Sequence, residues 1–270
     1  MRALAALLPL TALYAAGAAA ATPPSRPAFI AVVIDDLGNS REEGRRVVAL
    51  PGPVACSILP HTIDAPQIAD WAAKAGKEVL LHLPMESVGE KPLGTGGITL
   101  EMTEGEIRAT VADDIASIPH LVGMNNHEGS LITQHPGDMA WILQVLHSAG
   151  SYFYIDSFTS PDSVAYQIAR EQQVPAARRN VFLDDVNTED AVREQWKRLL
   201  AIARKHGFAL AIGHPRPMTL KVLEAELPQL ETEGVTLVAP SKIVELQEQN
   251  PLPDTESLSP EAATDAVIRH

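Results

Sequence analysis

The sequence predicts a single-domain α/β fold, a (β/α) barrel of seven or eight parallel strands. Short apolar runs alternate along the chain with longer segments of helical spacing, the pattern of parallel strands joined by right-handed crossovers. The runs are apolar at successive positions, as in strands buried on both faces. Polar side chains mark the ends of at least five of them, which suits the carboxyl-end face of a closed barrel better than the single crevice of an open doubly wound sheet.

The first strand, around Ala31-Val32-Val33-Ile34, breaks off in Asp35-Asp36-Leu37-Gly38. Neighbouring side chains on a strand face opposite ways, so the two carboxylates are expected on opposite sides of it, free to do different jobs. Asn39 or Ser40 caps a helix that stops before Pro51-Gly52-Pro53. A strand over 54–59 ends at Pro60-His61, and helical spacing over 65–75 ends at Gly76. Glu78-Val79-Leu80-Leu81 runs into His82-Leu83-Pro84-Met85-Glu86, and residues 87–100, rich in Gly, Pro and Ser, are expected to form a long substrate-facing loop. Thr103 and Glu106 have the spacing of a capping box, opening a helix to about Ser117. A strand over 121–124 leads into Asn125-Asn126-His127-Glu128, and a helix over 138–148 follows. The strand at 152–155 ends in Asp156-Ser157, and a helix over 163–172 precedes a strand at 180–183 that ends in Asp184-Asp185. The longest helical pattern, 188–206, is stopped by Gly207, and the strand at 208–212 runs into Gly213-His214-Pro215. A helix over 218–231 and a short strand at 235–238 complete the barrel.

The ends read differently. Residues 1–21 have the Arg2, the Leu-rich apolar run and the small residues of a cleaved secretory signal peptide, with an uncleaved anchor as the alternative. Residues 22–28 are expected as a flexible leader, 29–246 as the barrel and 247–270 as a polar, disordered tail. Export to the periplasm or the exterior follows, with no stable membrane span after cleavage. A net charge of −13 argues against nucleic acid and anionic lipid as partners. The single cysteine, Cys56, allows no internal disulfide and reads as a core thiol. No Gly-x-Gly-x-x-Gly or Gly-x-x-x-x-Gly-Lys element supports a nucleotide.

A barrel collects the strand ends into one ring, bringing together Asp35, Asp36, His82, Glu86, Asn126, His127, Asp156, Asp184, Asp185 and His214. Two or three His and Asp ligands with an open position are the makeup of a hydrolytic zinc-type site. Asp184 and Asp185 are equally well explained as the start of a turn, and Glu128 as a rim residue or a solvated one. His61, His120, His135, His147, His206 and His270 fall in loops, helices or the tail, where solvation is the default.

The segments Ile34-Asp35-Asp36-Leu37-Gly38, Leu80-Leu81-His82-Leu83-Pro84-Met85-Glu86, Asn125-Asn126-His127, Ile155-Asp156-Ser157, Val181-Phe182-Leu183-Asp184-Asp185 and Ile212-Gly213-His214-Pro215 resemble the divergent polysaccharide deacetylase family, over about residues 29–243. The resemblance implies a distorted (β/α) barrel and the removal of acetyl groups by a divalent metal, expected to be zinc, from an envelope saccharide such as a peptidoglycan-derived one. It implies that Asp35 acts as base, Asp36 as metal ligand and His214 as acid. The related deacetylases take two histidine ligands from a His-x-x-x-His motif, which here reads His82 to Glu86. The second ligand is then Glu86 or His127. His127 is preferred, because two imidazoles and a carboxylate match an open zinc site. Glu86, Asn126 and Asp156 are left to bind substrate or support the ligands. The alternative function is a catalytically inactive barrel that binds glycan or protein, and a paired-carboxylate glycosidase ranks last because it leaves the histidines unused.

Overall fold

The computed structural model describes residues 27–89 and 92–250. The expected signal peptide and most of the expected leader and tail lie outside the described residues.

Among the described residues nine parallel strands and eight α-helices follow one another, alternating except at β6 and β7: β1 (Ala28–Leu37), α1 (Arg41–Val48), β2 (Ala55–Ile58), α2 (Ala65–Lys74), β3 (Val79–Met85), α3 (Glu104–Ser117), β4 (Leu121–Glu128), α4 (Pro136–Ala149), β5 (Phe153–Asp156), α5 (Ala165–Glu171), β6 (Ala176–Arg178), β7 (Val181–Phe182), α6 (Glu189–His206), β8 (Phe208–Gly213), α7 (Pro217–Glu226), β9 (Val235–Leu237) and α8 (Pro240–Gln249). Eight strands run in the order β6-β5-β4-β3-β2-β1-β8-β7, and β9 pairs with β1. The sheet curls round helices on its outer face, but β6 and β7 do not pair, so the barrel is open on one side.

The local signals act where the sequence puts them. Ser40 caps α1, Thr103 and Glu106 form the reciprocal capping box of α3, and Thr188 caps α6. Gly207 closes α6 in the left-handed region, which a residue without Cβ enters at no steric cost. Two elements were not expected. The three-residue β6 (Ala-Ala-Arg) has little strand propensity and forms because it completes the sheet edge beside β5. Helix α8 runs to Gln249, so the domain does not end at 246: the buried Gln247 accepts from the Arg178 N–H at 2.6 Å and donates to the Arg178 carbonyl at 2.9 Å, tying α8 to the β6 edge.

Strand alternation divides the core. Ile30, Val32 and Ile34 of β1 pack toward α1–α7, whereas Ala31 and Val33 join Ala55, Leu80, Ile155, Leu210 and Ile212 on the concave face, which Ile243 and Val244 of α8 fill. Continuing each concave row by two residues gives Asp35, Ser57, His82, Ser157 and His214 at the carboxyl ends. An apolar column thus ends in a polar layer, and that layer carries the site. Cys56 is fully buried, and burial pushes its thiol up to about 12, the state of an inert core residue.

The long connection after β3 is fastened back on the sheet. Ile98 bridges to Met85, its N–H donates to the Pro84 carbonyl, and the Glu86 N–H donates to the Ile98 carbonyl. Gly96 of the same segment lies against the fully buried Asp114 of α3; a Cβ there would sit 2.1 Å from Asp114 Oδ1. His61, expected to be solvated, instead places Nε2 2.9 Å from Asp114 Oδ1. Burial, with Asp113 alongside, pushes the Asp114 carboxyl up to about 8. The folded chain therefore holds a proton at Asp114 that the unfolded chain releases near pH 4, so stability falls as pH rises from about 4 to about 8. Asp114→Asn, which cannot ionise, is expected to flatten that part of the pH profile of the melting temperature. An equally steep profile in the variant would contradict this assignment.

Candidate metal centre

The first strand delivers its two acids by breaking its own regularity. The β1–β2 register slips between Ile34 and Leu37, and Asp36 adopts φ 58° in the left-handed region, which Asp tolerates better than most residues. Both carboxylates consequently enter the same pocket, not opposite sides of the strand. Gly38 then turns the chain at φ 125°, where a Cβ would lie 2.0 Å from Thr62 Oγ1.

Asp36 Oδ1 lies 3.3 Å from His82 Nε2 and 2.9 Å from His127 Nδ1, and these two ring nitrogens are 3.1 Å apart. Asp36 Oδ1 is buried and makes no well-formed hydrogen bond. The two nitrogens face each other too closely for both to carry a proton. Three lone-pair donors converging on one point, one oxygen and two nitrogens, are what a divalent ion of the zinc type requires, and the donor set fits it. Burial alone would raise the Asp36 pKa, but contacts with His127 and His82 hold it well below the ordinary carboxylate range.

Asn125 organises the layer beneath. Its amide nitrogen donates to Asp35 Oδ1 at 2.9 Å and Oδ2 at 3.1 Å, and to Ser157 Oγ at 3.2 Å. Its carbonyl oxygen accepts from Ser57 Oγ at 2.6 Å and stands 3.0 Å from His82 Nδ1. An amide oxygen can only accept, so His82 carries its proton on Nδ1 and turns the Nε2 lone pair toward Asp36. Asp35 is buried 3.6 Å from His82 Nε2, and burial raises its pKa against the pull of His82, His214 and Asn125.

On the opposite wall His214 Nε2 lies 3.6 Å from Asp36 Oδ2. Its Nδ1 is 2.9 Å from Asp184 Oδ1, and its backbone N–H donates to Asp184 Oδ2 at 2.8 Å. Thr219 Oγ1 donates to the same oxygen at 2.6 Å. Burial works against a charged His214 ring, but the Asp184 carboxylate outweighs it and raises the pKa. Phe182 packs edge-on against the imidazole with centroids 5.3 Å apart.

Asp35, Asp36, His82, His127 and His214 thus line one cavity of about 340 Å³, with Asn126, Glu128, Phe182 and Arg216 among the other walls. The three residues expected to bind substrate or support the ligands are placed differently from one another. Asn126 reaches the wall, but its amide is spent on the Glu128 carbonyl, the Tyr154 hydroxyl and the Ser157 N–H. Glu86 accepts from the Leu100 N–H at 2.7 Å and organises the connection after β3 instead of facing the pocket. Asp156 is buried on the other side of β5, accepting from the Phe158 N–H and the Ser163 hydroxyl. Asn125 was the omission, and Asp184 was a candidate that a turn explained as well. Strand period was the missing signal for the first, since Asn125 and His127 are two residues apart on one face. For the second it was register, because Phe182 aligns with Ile212 and hence Asp184 with His214.

The model of the divergent polysaccharide deacetylase family matches residues 32–244. The chain belongs to that family. It is 34% identical over 237 residues to the uncharacterised protein YibQ of Escherichia coli K12, covering 88% of this chain and 72% of that one. An uncharacterised protein of Haemophilus influenzae is 37% identical over 209 residues, covering 77% of this chain and 74% of its own. The uncharacterised protein ATU2773 of Agrobacterium tumefaciens C58 shares the fold, with a TM-score of 0.77 at 20% identity, over 83% of this chain and 92% of that one. The family places the chain among deacetylase-like barrels.

Removing the Asn125 side chain frees the His82 tautomer and the Asp35 carboxylate together. Asn125→Ala is expected to weaken zinc binding by about 10- to 100-fold, measured by competition with a chromophoric chelator. Unchanged affinity would mean that Asn125 only fills space.

Proposed function

We propose that this deacetylase-family barrel is a metal-dependent hydrolase that removes acetyl groups from a saccharide of the cell envelope. The observation that carries the reading is the convergence of Asp36, His82 and His127 on one point, with Asp35 and His214 against the same pocket. A divalent ion held by those three residues would supply Lewis-acid polarisation of the acetyl carbonyl and acidify a water molecule.

The remaining work falls to the chain. Asp35, raised in pKa by burial and aimed by Asn125, takes the proton of the attacking water. His214, kept protonated to higher pH by Asp184, gives a proton to the departing amine or alcohol oxygen. The two groups stand on opposite walls of one pocket, one to take a proton and the other to give one, which hydrolysis of an amide or ester needs. Residues 1–21, read as an export signal, agree with an envelope substrate.

His127→Ala is expected to lose bound zinc and acetate release together. Asp35→Asn should keep stoichiometric zinc while losing about 10²- to 10⁴-fold in rate. Acetate release from N-acetylated chito-oligomers or peptidoglycan fragments, alongside metal analysis, tests both. Full activity of His127→Ala without metal would overturn the proposal. Failure of the wild-type chain to bind zinc, nickel or cobalt at all would favour the non-catalytic binding barrel.

A further inference from the structure

We infer that the saccharide taken by this pocket carries an anionic substituent, a carboxylate or a phosphate, and that Arg216 receives it. The inference rests on the deacetylase reading and specifies its substrate class. Arg216 follows His214 by two residues and is, among the described residues, the only lysine or arginine lining the cavity. Its Nη1 donates to the Asp184 backbone carbonyl at 2.5 Å. That bond spends one of five donors and fixes the guanidinium on the His214 side of the pocket.

Arg179, also near the pocket, is spent on the Ser157 and Phe158 carbonyls, and five surface arginines are spent on carboxylates. Arg41 pairs with Asp64, Arg46 with Glu224, Arg108 with Glu104, Arg193 with Glu189 and Glu226, and Arg204 with Glu233. Among the described residues Arg216 has no carboxylate within 4.0 Å, although the chain carries thirteen more negative than positive charges. A half-buried guanidinium held in place and left without a counter-ion is a preformed receptor for a planar, bidentate anion. Its position assigns the anion to a part of the substrate. His214 serves the leaving atom, which belongs to the sugar, so a group received beside it is carried by the sugar and not by the departing acyl fragment. Phe182, against the same imidazole, offers an apolar surface for the ring.

Binding to zinc-loaded Asp35→Asn protein, in which turnover is slowed, separates recognition from chemistry. Calorimetry would compare three N-acetylated oligosaccharides of equal length: a neutral chito-oligomer, one bearing a sugar carboxylate and one bearing a sugar phosphate. One anionic ligand is expected to bind about 10- to 100-fold tighter than the neutral one. The better of the two identifies the substituent. Adding Arg216→Gln should bring the anionic ligand down to the affinity of the neutral one, and Arg216→Lys should retain part of the preference. Equal affinity for neutral and anionic ligands before the Arg216 change, or an equal loss for both after it, overturns the inference and leaves the deacetylase reading standing. No binding of any acetylated saccharide overturns both.

Discussion

The carboxamide of Asn125 is the contact on which the arrangement of the site depends. A carboxylate and an imidazole buried side by side would lock into a direct hydrogen bond, and such a pair has no lone pair left for an ion. Asn125 prevents this by giving its N–H groups to Asp35 and its oxygen to His82, so each partner is satisfied from the side away from the pocket. Ser57 on β2 and Ser157 directly after β5 complete the amide. The ends of five strands, β1 to β5, are thereby joined at one polar layer, and their side chains are oriented before any ligand arrives.

The same layer separates the two neighbouring acids. Asp35 and Asp36 are adjacent and like-charged, yet their environments drive them in opposite directions. Asp35 lies deep among apolar rows and is raised by burial. Asp36 sits nearer the opening between two imidazoles, which overcome its burial and lower it. This is the division of labour that lets one carboxylate accept a proton while the other keeps its charge. It depends on the left-handed turn at Asp36, since a regular strand would have sent that side chain into the opposite core.

Much of this was legible in the chain because burial leaves a strand few places for polar atoms. Parallel strands covered on both faces show as apolar runs, and the run ends at 35, 82, 127 and 214 showed where chemistry collects. Register and backbone exceptions were not legible. The turn at Asp36 and the slip beside it are local departures that tertiary contacts select. Asp156 and Glu86 stand at run ends like the true pocket residues, and only the direction of one side chain separates the classes. Asp184 looked like a turn residue because it stands just past a strand end, and its partner His214 is fixed only by the pairing of β7 with β8. Helix α8 escaped notice because its partner is the concave face of a sheet whose curvature no single segment encodes.

The charge of the molecule appears at first to oppose an anionic substrate, since a chain at −13 repels one. Distance resolves the conflict. At physiological salt the Debye length is about 8 Å, so carboxylates scattered over the surface are largely screened at the mouth of the pocket. Inside it the balance is local. A divalent ion would more than offset Asp36, Asp184 is paired with His214, and the Arg216 guanidinium lines the same pocket with no carboxylate within 4.0 Å among the described residues. With the ion in place, the guanidinium makes the His214 side of the cavity positive. The global charge then acts on how fast an anionic saccharide arrives, while Arg216 acts on how long it stays.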